Sequence, residues 1–131
     1  MTRIELLKKA EEARAHAWAP YSHFAVGAAL LTTDGRVFLG ANIENAAYSV
    51  TCCAERVALF SAVTQGARSF SAIAIVGAKA EEMPNAPCYP CGVCRQALSE
   101  FSGEDLLIYT TDGESTLGAL LPNNFGKSNL K

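Results

Sequence analysis

Two short stretches decide how the rest of the chain is read: Thr51-Cys52-Cys53-Ala54-Glu55-Arg56 and Pro90-Cys91-Gly92-Val93-Cys94-Arg95-Gln96. In the second, a Cys-x-x-Cys pair opening a helix sets two sulfurs on one face, a single turn apart. In the first, Cys53 stands two residues ahead of Glu55, also at a helix start, and offers a third sulfur. Three protein ligands are the number a catalytic zinc site uses, with the fourth tetrahedral position left to water, whereas a structural site closes all four. Glu55 beside that position has the chemistry of a proton carrier. Helix N-termini suit thiolates, because their free N–H groups favour negative charge and lower thiol pKa values. Three thiolates around one Zn2+ leave a net negative centre. Arg56 is placed to hydrogen-bond the sulfurs and withdraw part of that charge, or else to form an ordinary surface salt bridge.

Upstream, residues 2–18 read as a first helix. Thr2 and Glu5 have capping-box spacing, and Ile4, Leu7, Ala10, Ala13 and Ala17 recur at helical intervals. Lys8, Lys9, Glu12 and Arg14 turn outward, and Pro20 is the stop. His16 falls among the polar positions and reads as a solvated histidine. Residues 25–32 are apolar, Asp34-Gly35 is a hairpin turn signal and residues 36–41 are the return strand, so the two runs are expected to pair antiparallel. Phe24, just before the first strand, is either an anchor for its start or a site residue. In the loop Asn42-Ile43-Glu44-Asn45, extended backbone turns Asn42 and Glu44 the same way, offering an amide and a carboxylate to sugar hydroxyls. A capped, solvated turn has the same composition.

Downstream, residues 53–65 form the second helix, with Val57, Leu59, Phe60 and Val63 as core positions and Gly66 as its stop. Residues 70–78 are apolar almost throughout, as in a strand covered on both faces. A loop over 79–89 holds Pro84, Pro87 and a spare thiol, Cys88. A third helix over 91–101, a strand over 106–110, a turn at Asp112-Gly113 and a short strand or helix within 116–121 complete the pattern. The order α-β-β-α-β-α-β predicts an α/β fold, a three-layer α/β/α sandwich with a mixed β-sheet.

The 131 residues suffice for one domain, 1–131, and not for two. Half of them are hydrophobic, yet no run approaches the roughly 18 consecutive apolar residues of a membrane helix. The charged start, Met1-Thr2-Arg3-Ile4-Glu5, is unlike a signal peptide, so a cytoplasmic protein with no membrane partner is expected. Five cysteines in such a chain read as ligands or reactive thiols before disulfides. A formal charge of −2 gives no drive toward a nucleic acid partner.

The two motifs together resemble the cytidine deaminases. A His-x-Glu and Pro-Cys-x-x-Cys signature marks zinc deaminases at large; here Cys53 takes the histidine's place, as in the small, all-cysteine nucleoside deaminases. The resemblance runs through Pro20-Tyr21-Ser22-x-Phe24-x-Val26-Gly27-Ala28-Ala29, Gly40-x-Asn42-Ile43-Glu44-Asn45-Ala46-Ala47-Tyr48, Cys53-Ala54-Glu55-Arg56, Pro90-Cys91-Gly92-x-Cys94-Arg95-Gln96 and Leu120-Leu121-Pro122-x-x-Phe125. It implies a cytidine-deaminase-like fold, one zinc per subunit on Cys53, Cys91 and Cys94, and hydrolysis of cytidine and 2′-deoxycytidine to the uridine compounds and ammonia, with Glu55 catalytic. It further implies that Asn42 and Glu44 hold the ribose, that Phe24 packs on the pyrimidine and that the Ala54 backbone contacts the base. Ala46, Tyr48 and Phe125 would reach a neighbouring subunit's pocket in a homotetramer with shared active sites. Lys127 stands where a proline is common, and Cys52 and Cys88 are thiols the family does not require.

Three other readings share part of the pattern. An aminonucleoside-antibiotic (blasticidin-type) deaminase would carry the same zinc motif, although the intact Asn42-Ile43-Glu44-Asn45 loop favours an ordinary ribose. A structural zinc module would close its site with Cys88 or Cys52. A thiol-disulfide oxidoreductase would use Cys91 and Cys94 and leave Cys53 and Glu55 without a role.

Overall fold

The computed structural model describes residues 1–130. Its main elements, in order, are α1 (Arg3–Arg14), β1 (Phe24–Thr32), β2 (Val37–Ala41), α2 (Ala54–Thr64), β3 (Phe70–Lys79), α3 (Gly92–Ser99), β4 (Leu107–Thr110), β5 (Gly113–Thr116) and α4 (Leu117–Leu120). The strands form one five-stranded mixed sheet in the order β2-β1-β3-β4-β5. β1 pairs antiparallel with both β2 and β3, β3 pairs parallel with β4, and β4 pairs antiparallel with β5.

Alternation along the central strands sorts the core into two layers. Ala29 of β1 and Ala72, Ala74 and Val76 of β3 pack against Leu6 and Ala10 of α1. Ala28, Leu30, Ile73 and Ile75 face the other way, onto Ala54, Ala58, Leu59 and Ala62 of α2, Leu98 of α3 and Leu117 of α4. Helices on both faces explain why residues 70–78 carry almost no polar alternation. The expected three-layer arrangement is present; where a short strand or helix was expected within 116–121 there is the helix α4, and a fifth strand, β5, lies just ahead of it. β5 is Gly-Glu-Ser-Thr, without apolar alternation, and exists because the β4 ladder holds it.

Close approach of backbone selects the helix seams. A Cβ at Gly27 would stand 2.0 Å from the Ala10 carbonyl oxygen, and one at Gly40 2.3 Å from that of Ala54. Only small side chains fit at such approaches, and on α2 these are Ala54 and Ala58; Ala62 and, as expected, Leu59 are buried beside them, while Phe60, expected in the core, is exposed and Val57 and Val63 are half-buried. On α1 the seam is Leu6, Ala10, Ala13 and Arg14, with Ile4 exposed.

Two expectations for the first helix fail for one reason, unsatisfied backbone nearby. The capping box forms as expected, Thr2 Oγ1 accepting from the Glu5 N–H at 3.2 Å and Glu5 Oε1 from the Thr2 N–H at 2.9 Å. The helix ends at Arg14, well short of Trp18, because the Trp18 backbone is used elsewhere: its N–H donates to the Asn42 carbonyl at 2.9 Å and its carbonyl accepts from the Glu44 N–H at 2.8 Å. Arg14, expected outside, is 8% exposed. Its guanidinium donates to the carbonyls of Ala25, Ala78, Lys79 and Glu82 at 2.6–3.2 Å and pairs with Glu11. A buried arginine is tolerable only with its donors so satisfied.

Candidate active site

β2 and β3 both run antiparallel to β1, so they point the same way. α2 follows β2 and α3 follows β3; both helices therefore begin beyond the carboxyl ends of like-directed strands, where open α/β sheets bind ligands. Topology thus brings together two motifs that are remote in sequence. Cys53 is the N-cap of α2 (φ −69°, ψ 154°) and Cys91 the N-cap of α3 (φ −68°, ψ 168°). An N-cap side chain ordinarily turns back onto its own helix. Neither cysteine does so, which leaves both sulfurs free to face each other.

The Sγ atoms of Cys53, Cys91 and Cys94 all lie within 4.8 Å of one another, with Cys53 to Cys91 at 3.8 Å and Cys91 to Cys94 at 3.5 Å. Tetrahedral zinc with Zn–S bonds of about 2.3 Å needs sulfurs about 3.8 Å apart, so the donor set fits one such ion. Among the described residues neither Cys52 nor Cys88 joins this group. A four-thiolate structural site therefore lacks its fourth ligand. Contact with the Cys94 thiol, and next the Arg56 guanidinium, holds the Cys53 thiol well below the usual thiol range. Arg56 Nη2 reaches Cys53 Sγ at 3.5 Å and the Thr51 carbonyl at 3.5 Å, and its buried Nε has no hydrogen-bond partner among the described residues. The guanidinium is turned toward the sulfurs and, among the described residues, makes no salt bridge.

Beside the sulfurs is a cleft of about 160 Å³ lined by Val26, Asn42, Thr51, Cys53, Ala54, Glu55, Cys88, Tyr89 and Cys91. Glu55 is 4% exposed, and burial pushes its carboxyl up to about 7. A carboxyl tuned to neutral pH, in a cleft and next to a metal donor set, can give and take protons. Through the shared Thr51 the cleft adjoins an open groove of about 350 Å³ lined by Tyr21, Ser22, Glu44 and Tyr48. Residues 1–110 match the family model described as the cytidine and deoxycytidylate deaminase zinc-binding region.

The chain belongs to the cytidine and deoxycytidylate deaminase family. It is 47% identical to the cytidine deaminase of Sporosarcina psychrophila, over 96% of this chain and 93% of that protein. The crystal structure of cytidine deaminase from Burkholderia pseudomallei matches with a TM-score of 0.87 at 46% identity, covering 95% of this chain and 100% of that one. The structure of cytidine deaminase from Mycobacterium tuberculosis matches at 0.85 and 40%, covering 96% and 98%. Family membership accounts for the zinc donor set, and neither the oxidoreductase nor the structural-zinc reading is favoured.

Within this deaminase fold the expected binding residues divide into three groups. Asn42 and Ala54 line the sulfur cleft. Asn42 is also a clamp: its Oδ1 accepts from the Val26 N–H at 2.9 Å and its Nδ2 donates to the Phe24 carbonyl at 2.8 Å, which pins the loop after β2 to the start of β1. Glu44 lies in the adjoining groove, where the Ser22 hydroxyl and the N–H groups of Ser22 and Tyr21 all donate to its carboxylate. Those bonds, the hydroxyl's first, hold it below the usual carboxylate range. Phe24 is 38% exposed, its ring edge beside Cys88 over Gly77. Ala46 and Phe125 are exposed and line neither cavity, while Tyr48, 71% exposed, stacks edge-on against Tyr21. Val26, Thr51, Cys88 and Tyr89 were not foreseen in the cleft wall. For Val26 the signal was present in the alternation along its strand, and for Cys88 in its place three residues before Cys91; for Tyr89 there was none.

Proposed function

We propose that this chain deaminates cytidine and 2′-deoxycytidine hydrolytically, each turnover consuming one water and releasing one ammonia, with Cys53, Cys91 and Cys94 holding one zinc per subunit. The observation that carries the reading is the buried Glu55 carboxyl in the same cleft as the three-sulfur group. Zinc, when bound, supplies a Lewis acid that makes water a competent nucleophile near neutral pH. Glu55 takes a proton from the attacking water, delivers it to the pyrimidine ring nitrogen, and later carries a proton to the departing amino group. A carboxyl near 7 changes protonation readily in both directions at neutral pH. Arg56 offsets part of the charge of the thiolates through its contact with Cys53.

Asn42 keeps hydrogen-bonding capacity beyond its two backbone contacts, and with Glu44 it holds the sugar hydroxyls. Phe24 covers the base, and the Ala54 backbone contacts its edge. The working unit is a homotetramer in the cytoplasm, with Ala46, Tyr48 and Phe125 of one subunit completing the pocket of another. Exposed apolar side chains at Leu39, Ile43, Val50, Phe60 and Phe125 support a covered surface.

Incubation with cytidine, followed by ultraviolet absorbance, with and without a chelator, tests this. Expected is conversion to uridine, lost on chelation and restored by zinc. A zinc-loaded protein that leaves cytidine unchanged refutes the proposal. Specific activity that persists in a proven monomer refutes the shared pocket.

A further inference from the structure

We propose that Tyr89 is a positioning residue for the nucleoside cleft, acting through its hydrogen bond to Asp112. Tyr89 lies in the connection between β3 and α3, the segment that supplies Cys88 and Tyr89 to the cleft wall. Among the described residues, the stretch from Met83 to Tyr89 makes a single hydrogen bond, from Tyr89 Oη to Asp112 Oδ2 at 2.7 Å. Its flanks are held separately. The Ala80 N–H donates to the His23 carbonyl at 2.8 Å and Arg14 to the Glu82 carbonyl at 2.9 Å. Beyond the stretch, Arg95 donates to the Pro90 carbonyl at 2.7 Å and to that of Leu120 at 2.7 Å. A segment with so few backbone bonds has little stability of its own, and what seats its end is the packing of Cys88 on the core and, for the Tyr89 ring, this one bond.

The acceptor is fixed from other directions. The Thr110 hydroxyl donates to Asp112 Oδ1. Arg3 of α1 donates to the Gly113 carbonyl at 3.0 Å and to the Thr110 carbonyl at 2.5 Å. Tyr89 thus ties a lightly bonded loop to a firmly bonded turn. Its ring also lines a second groove of about 260 Å³, with Thr110, Asp112 and Glu114, and so divides that groove from the cleft. The metal donors do not depend on this tie, because Cys91 and Cys94 belong to α3, which Arg95 anchors. Loss of the tie displaces the wall against which the nucleoside rests and leaves the metal centre in place. The consequence falls on substrate binding before chemistry.

The inference rests on the deaminase reading, since its main readout is cytidine turnover. Y89F, D112A and the double variant are compared with wild type, together with D112N, which keeps an acceptor for the tyrosine. Each of Y89F and D112A should raise KM for cytidine about fivefold, with kcat changed by less than about twofold and zinc retained. The double variant should be no worse than D112A alone, because the bond that Y89F removes is already absent there. D112N should stay within about twofold of wild type. Proteolytic nicking within residues 83–89 should quicken in Y89F and D112A. Quicker nicking with an unchanged KM would show a tie without a positioning role and overturn the proposal, as would effects that multiply in the double variant. Loss of zinc or a selective fall in kcat would place the hydroxyl in the metal centre and overturn it equally. If wild type binds cytidine without converting it, the functional reading fails; affinity by titration then replaces KM, and a Y89F chain binding as tightly as wild type still refutes the tie.

Discussion

Gly40→Ala probes how far the metal centre depends on the distance between α2 and the sheet. The added Cβ would lie 2.3 Å from the Ala54 carbonyl oxygen and 2.4 Å from the Ala58 amide nitrogen, where ordinary contact begins near 3.4 Å. Both neighbours are backbone, so no rotamer change relieves the clash, and α2 must retreat by about 1 Å. Ala54, Ala58 and Ala62 are 0% exposed, so that retreat opens the whole seam. Overpacking costs about 1–3 kcal/mol, and with backbone on both sides the upper end, about 3 kcal/mol, is expected. That is a large share of the roughly 5–15 kcal/mol that keeps a domain folded. The same shift carries Cys53, at the start of α2, away from Cys91 and Cys94, whereas ligand distances in metal sites are held to about 0.2 Å. Zinc content should fall, and kcat/KM should drop by about 100-fold. Urea unfolding, metal analysis and cytidine turnover measure the three effects. Gly92→Ala is the contrast: nothing lies within 4 Å of the added Cβ, and it should be neutral or stabilise by about 0.5 kcal/mol. A Gly40→Ala protein with wild-type unfolding and full zinc would show that the seam does not hold the donors in register.

Glu55→Gln should keep zinc and lower kcat by about a thousandfold or more with little change in KM, read by steady-state kinetics and metal analysis; ordinary turnover would remove Glu55 from the proton transfers. Asn42→Ala should both weaken nucleoside binding, raising KM about tenfold, and lower stability by about 1–2 kcal/mol, since the side chain clamps Val26 and Phe24 as well as lining the cleft. An effect on KM with no change in the unfolding midpoint would deny the clamp. Arg14→Met should cost about 3 kcal/mol in urea unfolding by stranding the carbonyls of Ala25, Ala78, Lys79 and Glu82, and a loss below about 1 kcal/mol would mean that water satisfies them.

Residue chemistry and local spacing were enough for the donor set, the helix starts at the two cysteine motifs, the capping box, the hairpin and the mixed α/β order, because each depends on side-chain type or on contacts within a few residues. Misplaced features share another cause. Arg14 looked like a surface residue on its own helix, and only the start of β1 and the end of β3, packed beneath it, supplied the carbonyls that draw it in. Phe60 looked like a core residue, but the backbone of β2 comes so close to α2 that alanines, Ala54 and Ala58, face it, and Phe60 is left outside. Asn42 looked free for a ligand, whereas two of its bonds are spent on β1. Cys88, a spare thiol in the sequence that could have closed a four-cysteine site, is set by the chain path against Gly77 of β3, outside the three-sulfur group. The sequence by itself determined which atoms can bind zinc and carry protons. Which of those atoms meet was decided by tertiary structure, since β1 inserted between two like-directed strands is what delivers both helix starts to one end of the sheet.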